Sequence, residues 1–99
     1  MILGKVIGTV WSTRKDEKLV GSKFLIVRQL NLDYTPKNGF VVAVDSVGAG
    51  VGEVVLYAQG SSARQTTLTK NKPVDAVIMA IVDKLDISVK DKITEETVR

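Results

Sequence analysis

The residues best suited to chemistry are two carboxylates that border a glycine-rich stretch in the middle of the chain. Asp45 precedes the sequence Ser-Val-Gly-Ala-Gly-Val-Gly, and Glu53 follows it. Two carboxylates that face each other across a tight loop can perform acid–base catalysis. In the structural alternative, each ends a strand and accepts hydrogen bonds from backbone N–H groups or pairs with Arg64. We favour the structural interpretation, and extend it to Asp75 and Asp83.

Other groups that commonly carry catalysis or bind metals are missing from the sequence. The 99 residues include no cysteine and no histidine, so thiol nucleophiles, disulfides and the commonest general base are excluded. The glycine-rich stretch is superficially similar to a phosphate-binding loop. However, it lacks the Gly-Lys-Ser/Thr sequence and leads into a strand rather than a helix. We therefore expect no catalytic residue, no cofactor and no metal.

The charge and the aromatic residues bear on nucleic-acid binding. The net charge is +3, and the 14 basic residues are dispersed among 11 acidic ones, whereas a nucleic-acid interface favours a dense basic stripe. The aromatic residues suit a core or a subunit contact better than base stacking; they are Trp11, Phe24, Tyr34, Phe40 and Tyr57. A single-stranded nucleic-acid-binding protein is the alternative interpretation. No apolar run approaches the ~20 residues of a membrane helix, and no signal peptide is evident. A cytoplasmic protein without a membrane contact is expected.

The alternation of apolar and polar side chains predicts five strands. They cover residues 1–13, 22–30, 40–47, 53–59 and 76–82, and residues 31–39 are rich in turn formers. A short helix is predicted over 61–66 with Ser61 or Ser62 as its N-cap. Residues 85–89 permit one more extended segment. Gly4 and Gly8 share one face of the first strand, which indicates a sharp bend or a close neighbour.

These elements predict an all-β fold, a small five-stranded OB-like barrel with one short helix. The third, fourth and fifth strands carry more apolar residues than one side of such a barrel needs. Oligomerisation is the simplest way to cover that surplus.

Five sequence motifs occur in a characteristic order along the chain. They are Gly4-x-Val6-x-Gly8-x-Val10, Leu19-x-Gly21-x-Lys23-Phe24-Leu25, Ala43-Val44-Asp45-x-Val47-Gly48-Ala49-Gly50-x-Gly52-Glu53-x-Val55-Leu56, Gly60-Ser61-Ser62-Ala63-Arg64-Gln65 and Pro73-Val74-Asp75-Ala76. In this combination the chain closely resembles the EutN/CcmL family, the vertex proteins of bacterial microcompartment shells. The resemblance covers residues 1–83 and leaves 84–99 as a C-terminal extension.

The resemblance implies a cyclic homopentamer at the vertices of a polyhedral shell, surrounded by hexameric shell proteins. Such a protein has no catalytic activity and supplies the curvature that closes the shell around its enzymes. The expected location is therefore the shell of a cytoplasmic microcompartment. The Ser-Ser-Ala-Arg-Gln sequence is more similar to members from catabolic microcompartments than to those from carboxysomes.

Two sets of residues follow as candidates for the assembly. Glycines would let loops from five subunits crowd around the fivefold axis; the predicted axial loop is Gly48, Ala49, Gly50, Val51 and Gly52. A ring also needs a contact in which one face of the barrel meets a different face of its neighbour. The predicted polar contributors to this contact are Asp45, Glu53, Gly60, Ser61, Ser62 and Arg64.

Overall fold

The computed structural model describes residues 1–12, 16–19, 21–66 and 74–89. The side chains of Leu19, Ser61 and Ser62 are outside this description. Within it, five strands and two 3-10 helices follow one another along the chain. They are β1 (Ile2–Thr9), a first 3-10 helix (Glu17–Leu19), β2 (Phe24–Leu30), β3 (Pro36–Asp45), β4 (Val54–Gln59), a second 3-10 helix (Gly60–Gln65) and β5 (Ala76–Ile81).

The strands form a closed barrel in the order β1-β2-β3-β5-β4. Neighbours are antiparallel except for β3 and β5, which run parallel where Val44 pairs with Val77 and Asp45 with Ile78. β1 closes the barrel because it pairs with β2 on one side and with β4 on the other. The predicted five-stranded barrel is confirmed.

A single core fills this barrel. Alternate residues of each strand point inward, so that Val6, Leu25, Val27, Val55 and Tyr57 are at most 1% exposed. Because every strand contributes side chains at period two, the inward face is apolar throughout. Ala49, from the loop after β3, joins the same cluster and closes one end.

Gly4 lies where β1 is held between its two neighbours. It pairs with Gln29 of β2 and Val55 of β4. A Cβ atom there would clash with Cγ1 of Val27 and lie 3.0 Å from Cε1 of Tyr57. The predicted close neighbour is therefore present at Gly4. At Gly8 an added Cβ would make only an ordinary contact, 3.5 Å from Cδ1 of Ile26.

Several predicted boundaries differ from the structure. β1 ends at Thr9, and β3 begins at Pro36, inside the stretch predicted as turn, because Leu30 pairs with Pro36 across a register shift. The second short helix is a 3-10 helix that begins at Gly60; Gln59 occupies its N-cap position, so the predicted serine cap is wrong. Residues 85–89 form no strand.

Candidate functional site

The loop between β3 and β4 is held by the two carboxylates that border it. Oδ1 of Asp45 accepts hydrogen bonds from the backbone N–H groups of Val47, Gly48 and Ala49 at 3.0, 3.1 and 3.2 Å. Oε1 of Glu53 accepts one from the N–H of Gly50 at 2.6 Å. Both carboxylates therefore stabilise the loop backbone, as the structural interpretation of the sequence expected.

The middle of this loop is exposed to solvent, and its end is hydrogen-bonded to β1. Gly48 and Gly52 adopt φ values of 75° and 93°, in the left-handed region that favours glycine. The N–H of Gly52 donates to the carbonyl of Val6 at 2.7 Å, which ties the loop to β1. Between them Val51 is 65% exposed. The loop is thus held by hydrogen bonds, with Ala49 packed in the core and Val51 exposed.

The second 3-10 helix follows the other end of β4. Its Ala63 is completely buried, and the N–H of Gly60 donates to the carbonyl of Asp75 at 2.8 Å. Arg64 pairs with Asp75, with 3.1 Å between Nη1 and Oδ1, and its Nη1 also donates to the carbonyl of Val74. The side chains of Arg64 and Asp75 are 43% and 92% exposed, so the pair is accessible at the surface.

The structure separates the predicted residues into two groups. Asp45, Glu53 and the loop 48–52 lie before β4, whereas Gly60 to Arg64 lie after it. At about 3.3 Å per residue, the six residues of β4 place the groups on the order of 20 Å apart. One polar cluster formed by all of them is therefore excluded within a single subunit.

The partner of Arg64 is Asp75, one of the carboxylates for which the structural interpretation of the sequence allowed such a pair. Sequence reasoning missed other exposed residues that mark the surface. Met1 and Met79 line a groove of about 520 Å³ beside the second 3-10 helix. Phe40 and Val42, on the outward face of β3, are 63% and 47% exposed. The exposure of Phe40 and Val42 could have been predicted from the sequence, because they alternate along β3 with Val41 and Ala43, which face the interior.

The described residues offer little for catalysis. Among them no three acidic side chains cluster closely enough to hold a metal ion. Burial raises the pKa of Tyr57 above its ordinary value, and this residue lies in the core of the barrel. In the same part of the chain, no helix is long and apolar enough to cross a bilayer.

A barrel with a projecting loop at one end is common to unrelated functions, so comparison with known proteins decides between them. A family model described as "Ethanolamine utilisation protein EutN/carboxysome" matches residues 1–83. The chain belongs to the EutN/CcmL family. The predicted family is therefore confirmed.

Three relatives of this EutN/CcmL protein illustrate the range of the family. The bacterial microcompartment shell vertex protein GrpN of Rhodospirillum rubrum is 49% identical, across 87% of this chain and 97% of GrpN. PduN of Salmonella typhimurium, also a bacterial microcompartment shell vertex protein, is 47% identical across 86% and 98%. The carboxysome shell vertex protein CcmL of Gloeobacter violaceus is 41% identical across 88% and 87%. Both carboxysomes and other microcompartments are thus represented.

Solved structures of two of these relatives share the fold. The GrpN pentameric microcompartment shell protein matches with a TM-score of 0.80 at 47% identity, covering 88% of this chain and 99% of GrpN. CcmL of Gloeobacter violaceus matches with a TM-score of 0.83 at 41% identity, covering 89% and 91%. These matches indicate a homopentamer within a microcompartment shell. Because the relatives are structural shell vertex proteins, this EutN/CcmL protein is a shell component and not an enzyme.

Proposed function

We propose that this protein forms the pentameric vertices of a bacterial microcompartment shell and supplies the curvature that closes it. The observation that carries the proposal is the match to the pentameric shell protein GrpN, which extends over nearly all of both chains. The mechanism is geometric. Hexameric shell proteins are the proposed neighbours: they tile a flat layer, and a pentamer at each corner bends it. Neither nucleic acid nor a membrane is a proposed partner.

Exposed apolar residues support a ring of subunits. A cyclic assembly needs two different complementary faces on each subunit. One candidate face is the outward side of β3 at Phe40 and Val42, and the other is the groove beside the second 3-10 helix with Met1 and Met79. Contact between these faces would remove apolar surface from water. This burial contributes about 25 cal/mol of favourable free energy per Å², from which the entropic costs of association must be subtracted.

The axial loop proposal rests on shape and size. Gly48 to Gly52 forms a projecting turn whose middle residues carry small side chains, and Val51 is exposed at its tip. An added Cβ at Gly50 would contact only Oε1 of Glu53, at 3.4 Å, within one subunit. The single subunit therefore leaves open space around the loop, and five copies of the loop that converge on an axis would need such space. Asp45 and Glu53 would act by holding this shape.

A charge placed at the loop tip tests that position. Val51→Glu would bring five carboxylates close together at the axis, and their repulsion would reduce the pentamer population at low salt. High salt would restore it, because screening shortens the reach of exposed charges to about 3 Å at 1 M. Val89→Glu is the matched control, since Val89 is an exposed valine far from the loop in sequence. Equal pentamer populations for both variants would refute the axial position.

Gly60, Ser61, Ser62 and Arg64 are proposed to contribute polar contacts to the neighbouring subunit. Arg64 and Asp75 are exposed and already oriented by their mutual ion pair. Arg64→Ala should cost the single subunit less than about 1 kcal/mol, as exposed pairs do, while lowering the pentamer population. Arg64→Lys serves as the control that keeps the charge. A pentamer population unchanged in Arg64→Ala would refute this contact.

A catabolic microcompartment, rather than a carboxysome, is the proposed setting. The sequence from Gly60 to Gln65 supports it, as do identities of 49% and 47% to GrpN and PduN against 41% to 44% for several CcmL proteins. EutN of Salmonella typhimurium, at 39%, weakens the trend. Expression in strains lacking PduN or CcmL tests it. Closed shells restored only in the strain that lacks PduN would support the proposal. Closed shells restored only in the strain that lacks CcmL would refute it.

Native mass spectrometry of the purified chain tests the central proposal. A mass of five subunits is the expected result. A stable monomer that binds single-stranded nucleic acid in a salt-dependent manner would instead favour the nucleic-acid alternative.

A further inference from the structure

Two cationic residues lie directly opposite each other on the outside of the barrel. Lys5 of β1 pairs with Arg28 of β2, and both alternate with the buried Val6 and Val27. Like charges directly opposite in a sheet are destabilising. Among the described residues, neither Lys5 nor Arg28 forms an ion pair with an acidic side chain. The pair therefore concentrates positive charge that the described part of the subunit does not compensate.

The guanidinium group of Arg28 is oriented in advance. Its Nε donates a hydrogen bond to the carbonyl of Lys37 at 2.6 Å, which fixes the plane of the group. The terminal nitrogens Nη1 and Nη2 remain to bind an oxyanion. A planar guanidinium held in this way can donate two parallel hydrogen bonds to a carboxylate.

Tyr34 adopts an unusual backbone conformation at the same place. Its φ is 69°, and it is the only residue other than glycine with a positive φ in the described part of the chain. Such a conformation is unfavourable for a bulky side chain, and strained residues cluster at binding sites. The loop is held by hydrogen bonds from the N–H of Asn31 to the carbonyl of Thr35 and from the N–H of Tyr34 to the carbonyl of Asn31. Tyr34 lines the same pocket as the cation pair.

These three residues line one pocket. It has a volume of about 310 Å³ and is bordered by Lys5, Ile7, Arg28, Leu30, Tyr34 and Pro36. The phenolic oxygen of Tyr34 accepts a hydrogen bond from the N–H of Leu85 at 3.2 Å, which leaves its own O–H to donate. Two cations and a phenol beside three apolar side chains match a small ligand with one anionic and one apolar end. The volume is near the lower limit for ligand pockets.

We propose that this pocket, which we call the Lys5–Arg28 pocket, binds a carboxylate group attached to a short hydrocarbon. Arg28 and Lys5 hold the carboxylate, and Ile7, Leu30 and Pro36 contact the hydrocarbon. The carboxylate comes either from a small acid in solution or from an Asp or Glu side chain of a second copy of this chain. The pocket requires no pentamer for the first source, so failure of the proposed function leaves this proposal standing.

Binding of butyrate to the full chain tests the first source. Saturation-transfer NMR should show a butyrate signal that phosphate reduces and that butanol, which has no charge, does not produce. Arg28→Gln should weaken butyrate binding about tenfold, the equivalent of about 1.4 kcal/mol, and Lys5→Gln by a smaller factor. Lys23→Gln is the control, because it removes one exposed positive charge beside a different pocket.

The second source has its own measurement. If a neighbour fills the pocket, butyrate gives no signal with the assembled protein. High salt would then lower the pentamer mass fraction of the wild type and of Lys23→Gln. Arg28→Gln would have a lower pentamer mass fraction already at low salt, and high salt would not lower it further. The proposal is overturned if butyrate binds equally to the wild type and Arg28→Gln. It is also overturned if butyrate fails to bind and assembly does not depend on Arg28.

Discussion

Gly4 of β1 packs against the side chain of Val27 in β2 with no space for a side chain of its own. An added Cβ would clash with Cγ1 of Val27 and stand 3.0 Å from the carbonyl oxygen of Arg28, which is backbone and cannot rotate away. Val27 is completely buried, so it has little freedom to move. This contact fixes how tightly β1 wraps around the barrel.

Gly4→Ala should therefore destabilise the barrel by about 1 to 3 kcal/mol, the usual cost of overpacking a core. Thermal unfolding followed by circular dichroism measures the effect. Gly8→Ala makes the same chemical change in β1 beyond the register shift that places Gly8 opposite Ile26, where the added Cβ would make an ordinary contact 3.5 Å from Cδ1 of Ile26. Gly8→Ala should be close to neutral, and equal losses in the two variants would contradict the steric explanation.

Asp45→Ala should destabilise the fold by about 1 to 2 kcal/mol, because three backbone N–H groups lose their acceptor. Asp45→Asn keeps an oxygen in the same position without the charge, so its loss should be smaller. Urea unfolding of both variants measures the difference. If Asp45→Asn were as damaging as Asp45→Ala, the charge of Asp45 rather than its capping hydrogen bonds would be the essential feature.

Two glycines of the axial loop should respond differently to alanine. Gly52 has a φ of 93°, so Gly52→Ala should cost the subunit about 1 to 2 kcal/mol through backbone strain alone. Gly50 has no positive φ, and its added Cβ would make only an ordinary contact. Gly50→Ala should therefore preserve subunit stability. A loss of pentamer in Gly50→Ala, measured by native mass spectrometry, would then report a neighbouring loop rather than misfolding.

Tyr57 should make stability depend on alkaline pH. Burial raises the pKa of its phenol in the folded state, so above about pH 10 the unfolded chain loses a proton that the folded chain retains. The free energy of unfolding is therefore unaffected by this group below that pH and declines as pH rises through the raised pKa. Urea unfolding from pH 8 to 11 should show a shallower decline for Tyr57→Phe.

Most of the barrel could be predicted from sequence because each strand has one apolar face. Alternation in residues 2–9 and 24–30 predicted these two strands, and burial alternates along them until the register shifts after Val6 and after Arg28. The start of β3 could not be predicted in this way. Residues 36–39 include the turn formers Pro36, Asn38 and Gly39 and are exposed, yet pairing of Pro36 with Leu30 of β2 makes this segment part of a strand. Local propensity gives way there to pairing across the turn between β2 and β3.

The candidate site was also only partly predictable. The glycines and carboxylates of the loop are adjacent in sequence, so their association with one turn could be foreseen. Pairing of Arg64 with Asp75 instead joins two segments 11 residues apart. The Lys5–Arg28 pocket depends on the register of β1 against β2 and on the φ of Tyr34, neither of which leaves a pattern in the sequence.

The sequence by itself determined the family, the five-stranded barrel and the absence of cysteine and histidine chemistry, because periodicity and ordered motifs are properties of the chain. Only the tertiary structure decided which charges meet. It separated the two predicted interface groups to opposite ends of β4, gave each loop carboxylate backbone partners, and set Lys5 beside Arg28. The physical reason is that strand register and barrel closure are set by packing of the whole core. A shift of one residue would turn every outward charge inward.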